Sequence, residues 1–219
     1  MIILSSRELA DETLGWPVDS STVLASGKIT SYVQDQVRTP DGTLIEREYL
    51  KHPGAVGVIA LDDQDRVALV RQYRHPVRHR LIEPPAGLLD VEGESYLETA
   101  ERELAEEVGL AAGSWAVLVD LFTTPGILGE SLRIYLAREL TAVDDPHGFT
   151  REGEEAHMDI VWASLDDLVG AVLDGRLHNP TVVSGVLAAW TARERDGFSS
   201  LRPADVGWPA FESLRDQER

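Results

Sequence analysis

Five glutamates crowd residues 98–107, and their spacing separates those with a cationic neighbour from those without. Glu98 and Glu106 each lie four residues from Arg102, the separation at which side chains meet on a helix. Glu103 and Glu107 lie four apart on one helix face with no cation at that spacing, a like-charge pair that costs roughly 0.2–0.5 kcal/mol. A bound divalent cation removes this repulsion. Hard ions such as Mg²⁺ take carboxylate oxygens and leave positions for substrate phosphates and water. The residues therefore point to metal-assisted chemistry on a phosphate-bearing substrate, with a solvated acidic helix face as the alternative.

A helix over 96–108 must position these carboxylates. Ser95-Tyr96-Leu97-Glu98 is a capping box at its start and Gly109 supplies its stop. Leu97, Ala100, Leu104 and Val108 form an apolar face at helical spacing. Upstream, alternating patterns over 28–38 and 43–50 flank the turn Pro40-Asp41-Gly42 and predict a hairpin. A second strand pair, 55–61 and 67–70, follows around Asp62-Asp63-Gln64-Asp65. Next comes a local basic cluster, Arg71 to Arg80. Strands are expected at 115–122, 131–138 and 157–163, and helices at 165–174 and 180–195. The pattern is α/β without regular βαβ alternation, and no repeat or low-complexity tract appears. From Gly197 onward the periodicity is weak, which predicts an ordered loop or dimer-packing arm.

The 219 residues carry a formal net charge of −18, so the overall field repels a nucleic-acid backbone and an anionic membrane surface. There is no cysteine, which excludes disulfides, thiolate zinc sites, iron–sulfur clusters and cysteine nucleophiles. The N-terminus lacks the basic start and apolar run of a secretion signal, and a soluble cytoplasmic protein is expected. Walker loops, dinucleotide fingerprints and Gly-X-Ser-X-Gly elbows do not occur. The six histidines show no metal-site spacing.

The string from Gly87 to Leu110 resembles the Nudix box, whose pattern is Gly-X5-Glu-X7-Arg-Glu-U-X-Glu-Glu-X-Gly-U with U apolar. From Glu94 onward, through Arg102, Glu103, Glu106, Glu107 and Gly109, every fixed position matches. One departure is that six residues separate Gly87 from Glu94. The extra residue falls in a loop, leaving the helix register intact. Resemblance to the ADP-ribose pyrophosphatase branch covers most of residues 25–195. Gln72-Tyr73-Arg74, Glu83-Pro84-Pro85-Ala86-Gly87, Pro125-Gly126 with Glu130 beyond, and Glu152-Gly153-Glu154-Glu155 all occur in its order. Ile127 stands where the branch shows an aromatic, and Pro-Ala-Gly-Leu-Leu-Asp is the opening of actinobacterial-type members.

The resemblance implies a Nudix-type α/β/α sandwich around a mixed sheet (51–196), a small N-terminal β-domain (1–50) that pairs two subunits, and a C-terminal arm (197–219). It implies Mg²⁺ or Mn²⁺ on Glu103 and Glu107, with the Ala86 carbonyl and Glu106 as further ligands. Gly87, Glu94 and Arg102 become structural supports of the loop-helix-loop. Arg74 is a candidate grip on a substrate phosphate, since guanidinium forks suit phosphate oxygens. Arg47 and Glu130 are further substrate-contact candidates. The general base is placed on the acidic loop, with Glu154 favoured over Glu152 and Glu155. The activity implied is hydrolysis of ADP-ribose to AMP and ribose 5-phosphate by a homodimer. Another nucleoside diphosphate sugar as substrate is the runner-up, and a module that binds ADP-ribose without cutting it is the alternative from another class.

Overall fold

A computed structural model describes residues 3–143 and 158–217. The chain divides into two compact units. One comprises residues 1–52, 126–129 and 207–219; the other comprises 53–125 and 130–206.

In the first unit, β1 (Val18–Ser26), β2 (Ser31–Arg38) and β3 (Leu44–Lys51) form an antiparallel sheet in that order. The β2–β3 connection is the anticipated Pro-Asp-Gly turn, with Gly42 at φ +85°, a conformation glycine adopts without a steric penalty. Strand β1 was not anticipated. Its sequence does not alternate, and it is exposed along its whole length, including Val18, Val23 and Leu24. The tail also departs from expectation. Residues Pro209–Gln217 form helix α4 rather than a loop, led in by Trp208, which packs on Phe211 with ring centroids 4.9 Å apart.

The second unit is a mixed sheet between helices. It contains β4 (Ala55–Leu61), β5 (Arg66–Arg74), β6 (His79–Glu83), β7 (Ala86–Leu88), β8 (Leu110–Phe122), β9 (Ser131–Ala142), β10 (Asp159–Ser164) and β11 (Arg202–Pro203). The main order is β10-β5-β4-β9-β8-β11, parallel only between β4 and β9. Strand β4 is buried throughout, and its alternation splits the core in two. Ile59 and Leu61 face helices α2 (Leu165–Leu173) and α3 (Pro180–Asp196). Val56, Val58 and Ala60 face Ala100, Leu104 and Val108 of α1 (Tyr96–Val108). Each Val, Leu or Ile among them contributes about 1.5–3 kcal/mol through burial. The α/β/α sandwich expected from the resemblance is therefore present.

A fork in this sheet builds the site. Strand β5 pairs with β4 only at Ala68 and Val67, then runs on to pair with β6. Pro84 and Pro85 have no N–H to continue the β6 ladder. The chain leaves β5 after Glu83, the Pro85 carbonyl accepts from Val58 N at 2.8 Å, and β7 joins β4 instead. This lays the Ala86–Gly87 backbone on the α1 side of the unit.

Candidate active site

Helix α1 holds the register its sequence requires. Ser95 Oγ accepts from Glu98 N at 3.2 Å, and Glu98 Oε2 accepts from Ser95 N at 2.8 Å. Such a cap contributes about 1 kcal/mol. Gly109 closes the helix in the left-handed region, at φ +68°. Leu104 points into the core, so Glu103 and Glu107 fall on the flank beside β7.

Both carboxylates engage that strand. Glu107, almost fully buried, accepts from Ala86 N through Oε2 at 3.0 Å. Glu103 lies over Gly87 so closely that a Cβ added there would meet Glu103 Oε1 at 2.1 Å and its Cγ at 2.3 Å. Glycine is needed here for close approach. Substituting Gly87→Ala is expected to push the Glu103 carboxylate aside and weaken divalent-metal binding by about tenfold or more. The melting temperature should change little, because the displaced group is the end of a flexible side chain. Calorimetric titration with Mn²⁺ beside a thermal melt checks both parts.

Arg102 corrects the pairing expected from spacing. It does not reach Glu98, which the helix cap occupies, and Glu103 does not lack a cation. The guanidinium bonds Glu94 at 2.9 Å, Glu103 at 2.6 Å and Glu106 at 3.1 Å. The Arg102–Glu103 pair joins adjacent residues, a separation at which helix side chains do not ordinarily face each other. Glu94 also accepts from Thr99 Oγ1 at 2.9 Å. The Arg102 hydrogen bond is the main cause that holds Glu94 below the usual carboxylate range, and Arg102 is raised above its own ordinary value chiefly by the same bond.

Arg74 is engaged as well. Its Nε and Nη2 hold the buried Glu83 carboxylate, with Nη2 to Oε2 at 2.6 Å, and Gln72 Nε2 donates to the same oxygen at 3.0 Å. Glu83 thus orients Arg74, a role that its place in the Glu83-Pro84-Pro85 motif does not by itself announce. Its signal was a carboxylate directly before two prolines. Arg47 is exposed on β3, donating to the Glu46 carbonyl at 2.8 Å. Glu130 accepts from Thr123 Oγ1 across the Pro125-Gly126 connection. Glu152, Glu154 and Glu155 lie outside the described residues.

The structure thus gathers Ala86, Gly87, Glu94, Arg102, Glu103, Glu106 and Glu107. Among the described residues, no three acidic or imidazole side chains are already arranged around a metal-sized gap, because Arg102 draws Glu94, Glu103 and Glu106 to itself. The donor set nevertheless suits a hard divalent ion. It offers carboxylate oxygens and a backbone strand, contains no soft ligand, and holds one carboxylate in the space that Gly87 leaves open.

These elements place the chain in the Nudix family, and a NUDIX domain model matches residues 51–184. The chain is 45% identical over 203 residues to the ADP-ribose pyrophosphatase of Mycobacterium tuberculosis, covering 91% of this chain and 96% of that one. It is 32% identical over 161 residues to the methanol dehydrogenase activator of Bacillus methanolicus, covering 74% and 85%. A crystal structure described as an ADP compounds hydrolase superposes with a TM-score of 0.68 at 22% identity, over 86% of this chain and 99% of that one, and supports the fold.

Proposed function

We propose that the protein is a divalent-metal-dependent pyrophosphatase that hydrolyses ADP-ribose to AMP and ribose 5-phosphate. The observation that carries this reading is the joint seating of Glu103 and Glu107 against Ala86–Gly87, in a chain similar over nearly its whole length to an ADP-ribose pyrophosphatase. Glu103, Glu107, the Ala86 carbonyl and Glu106 would hold the ion. Mg²⁺ or Mn²⁺ would supply charge neutralisation at the pyrophosphate and a more acidic water.

The chain's own residues do the remainder. Arg102 keeps three carboxylates from repelling one another, so that the helix folds with its acidic face intact. Arg74, oriented by Glu83, presents guanidinium charge beside the fork, where it is proposed to meet a substrate phosphate. Arg47 and Glu130 are proposed substrate contacts, and the base is assigned to the acidic segment 152–155. A nucleotide-sugar substrate present in the cytoplasm is in keeping with a chain that has no cysteine. Among its described residues, no helix is long and apolar enough to cross a membrane.

Turnover of a panel of nucleoside diphosphate sugars with Mg²⁺, Mn²⁺ or chelator, read by product chromatography, tests the reading. ADP-ribose is expected to be cut fastest and only with metal. Faster cleavage of another member would assign that sugar nucleotide instead, and tight binding of ADP-ribose without products would indicate a binding module.

We also propose a two-fold homodimer. A strand exposed on both faces and carrying Val18, Val23 and Leu24 gains little from a three-stranded sheet alone. Sedimentation velocity is expected to give a dimer that persists on dilution to assay concentrations. A fully active monomer would contradict it.

A further inference from the structure

One buried cation lies outside the acidic cluster. Arg133, in the apolar run Leu132–Ala137 of β9, is 0% exposed. An unpaired guanidinium cannot persist there, and this one is fully engaged. Its Nε and Nη2 donate to the two carboxylate oxygens of Asp120, directly opposite on β8, at 2.8 and 3.0 Å. Its Nη1 donates to the Val206 carbonyl at 2.7 Å. Burial works against the charge, but the Asp120 hydrogen bonds and charge outweigh it and keep Arg133 protonated.

Two features connect this pair to the site. The first is a strap, residues 202–206. Arg202 Nη1 donates to Asp120 at 2.7 Å, Tyr135 OH donates to the Ala204 carbonyl at 3.3 Å, and β11 pairs with Val117 and Ala116. The strap supplies the carbonyl that completes the coordination of Arg133 and a second cation that fixes Asp120. The second is Tyr96, the first residue of α1. The Arg133 guanidinium stands 5.5 Å from its ring centroid, within cation–π range and in a water-poor setting where such contacts are strongest. Arg133, Val56 and Gly87 also occupy one cross-strand row, so the guanidinium strand lies about 10 Å, two strand spacings, from the glycine beneath Glu103.

We propose that Arg133, locked by Asp120 and the 202–206 strap, is a positioning residue for the metal-binding helix: through the Tyr96 ring it fixes the first turn of α1. Glu94 lies immediately before that turn and Arg102 after it, so the turn sets how Arg102 shares itself among Glu94, Glu103 and Glu106. Loss of the ring contact lets the turn shift and lowers divalent-cation affinity without removing any ligand. This rests on the metal reading of the acidic cluster given above.

The test is direct binding of Mn²⁺ to the full chain in the absence of substrate, by calorimetry or by electron paramagnetic resonance of the free ion. Tyr96→Leu and Arg202→Ala are expected to weaken Mn²⁺ binding, the former by about tenfold, on the scale of lost supporting contacts around metal ligands. Arg133→Lys, which keeps charge but loses the fork, should do the same where it folds. Tyr96→Phe, which keeps the ring face, should stay within about twofold of the parent protein. Val186→Ala, a cavity on the opposite face of the sheet, serves as a control that lowers the melting temperature and leaves Mn²⁺ binding unchanged. Parent-like affinity in Tyr96→Leu, equal loss in Tyr96→Phe and Tyr96→Leu, or a Val186→Ala effect as large as theirs would each overturn the proposal. A parent protein that binds no Mn²⁺ would instead overturn the metal reading itself.

Discussion

Replacing Glu107 by Gln is expected to lower turnover of ADP-ribose by about a hundredfold to a thousandfold while the fold survives. The carboxylate is almost fully buried and held beside β7 by the Ala86 N–H. Glutamine retains an oxygen to accept that bond, so the geometry persists while the charge that would hold a cation is lost. Melting temperature should stay level or rise, because a buried charge has been removed and a site built for function is relaxed. Glu103→Gln should lose activity similarly but with a small fall in stability, since it also gives up a part-exposed ion pair with Arg102, worth about 1 kcal/mol or less. Parent-like turnover of Glu107→Gln at saturating Mg²⁺ would remove its assignment as a ligand.

The second large effect is expected at Glu154. Carboxylates that hold metals lose basicity, so the proton of the attacking water needs an acceptor from elsewhere. The segment Arg151-Glu152-Gly153-Glu154-Glu155 offers three, on a glycine-containing stretch preceding β10. Glu154→Gln should cut the turnover number by about a hundredfold or more, the scale of a lost acid–base group, while Mn²⁺ affinity and KM change little. A loss confined to KM would make Glu154 a binding residue. A large turnover loss at Glu152 alone would move the role there.

How much of this was legible in the sequence depended on whether the determining interactions were local. Helix α1 was readable to its caps because Ser95, Glu98 and Gly109 each act within a few residues of themselves. The β2–β3 turn was readable for the same reason. Strand β1 was not, since Val18–Ser26 has no alternation and is a strand only because β2 pairs with it. In the tail, helix α4 was hidden by a short sequence with weak periodicity. The acidic cluster was found by spacing, yet its electrostatics were misjudged. Arg102 serves Glu94 and Glu103 rather than Glu98, because the capping box had already claimed Glu98. The Arg133–Asp120 pair was invisible for a different reason. An arginine within an apolar strand reads as an interruption until its partner, 13 residues upstream, is placed opposite it by the β8–β9 register.

On the proposed reading the protein uses a divalent ion at the Glu103–Glu107 site to split the pyrophosphate of ADP-ribose. Its most direct test is a ³¹P NMR time course of ADP-ribose with the protein, begun with Mg²⁺ and interrupted by excess chelator. The two coupled pyrophosphate resonances are expected to give way to two uncoupled phosphomonoester signals, those of AMP and ribose 5-phosphate, and conversion is expected to stop when chelator is added and to resume when Mg²⁺ is restored. Conversion that continues at the same rate in chelator, or a pyrophosphate that stays intact throughout, would contradict it.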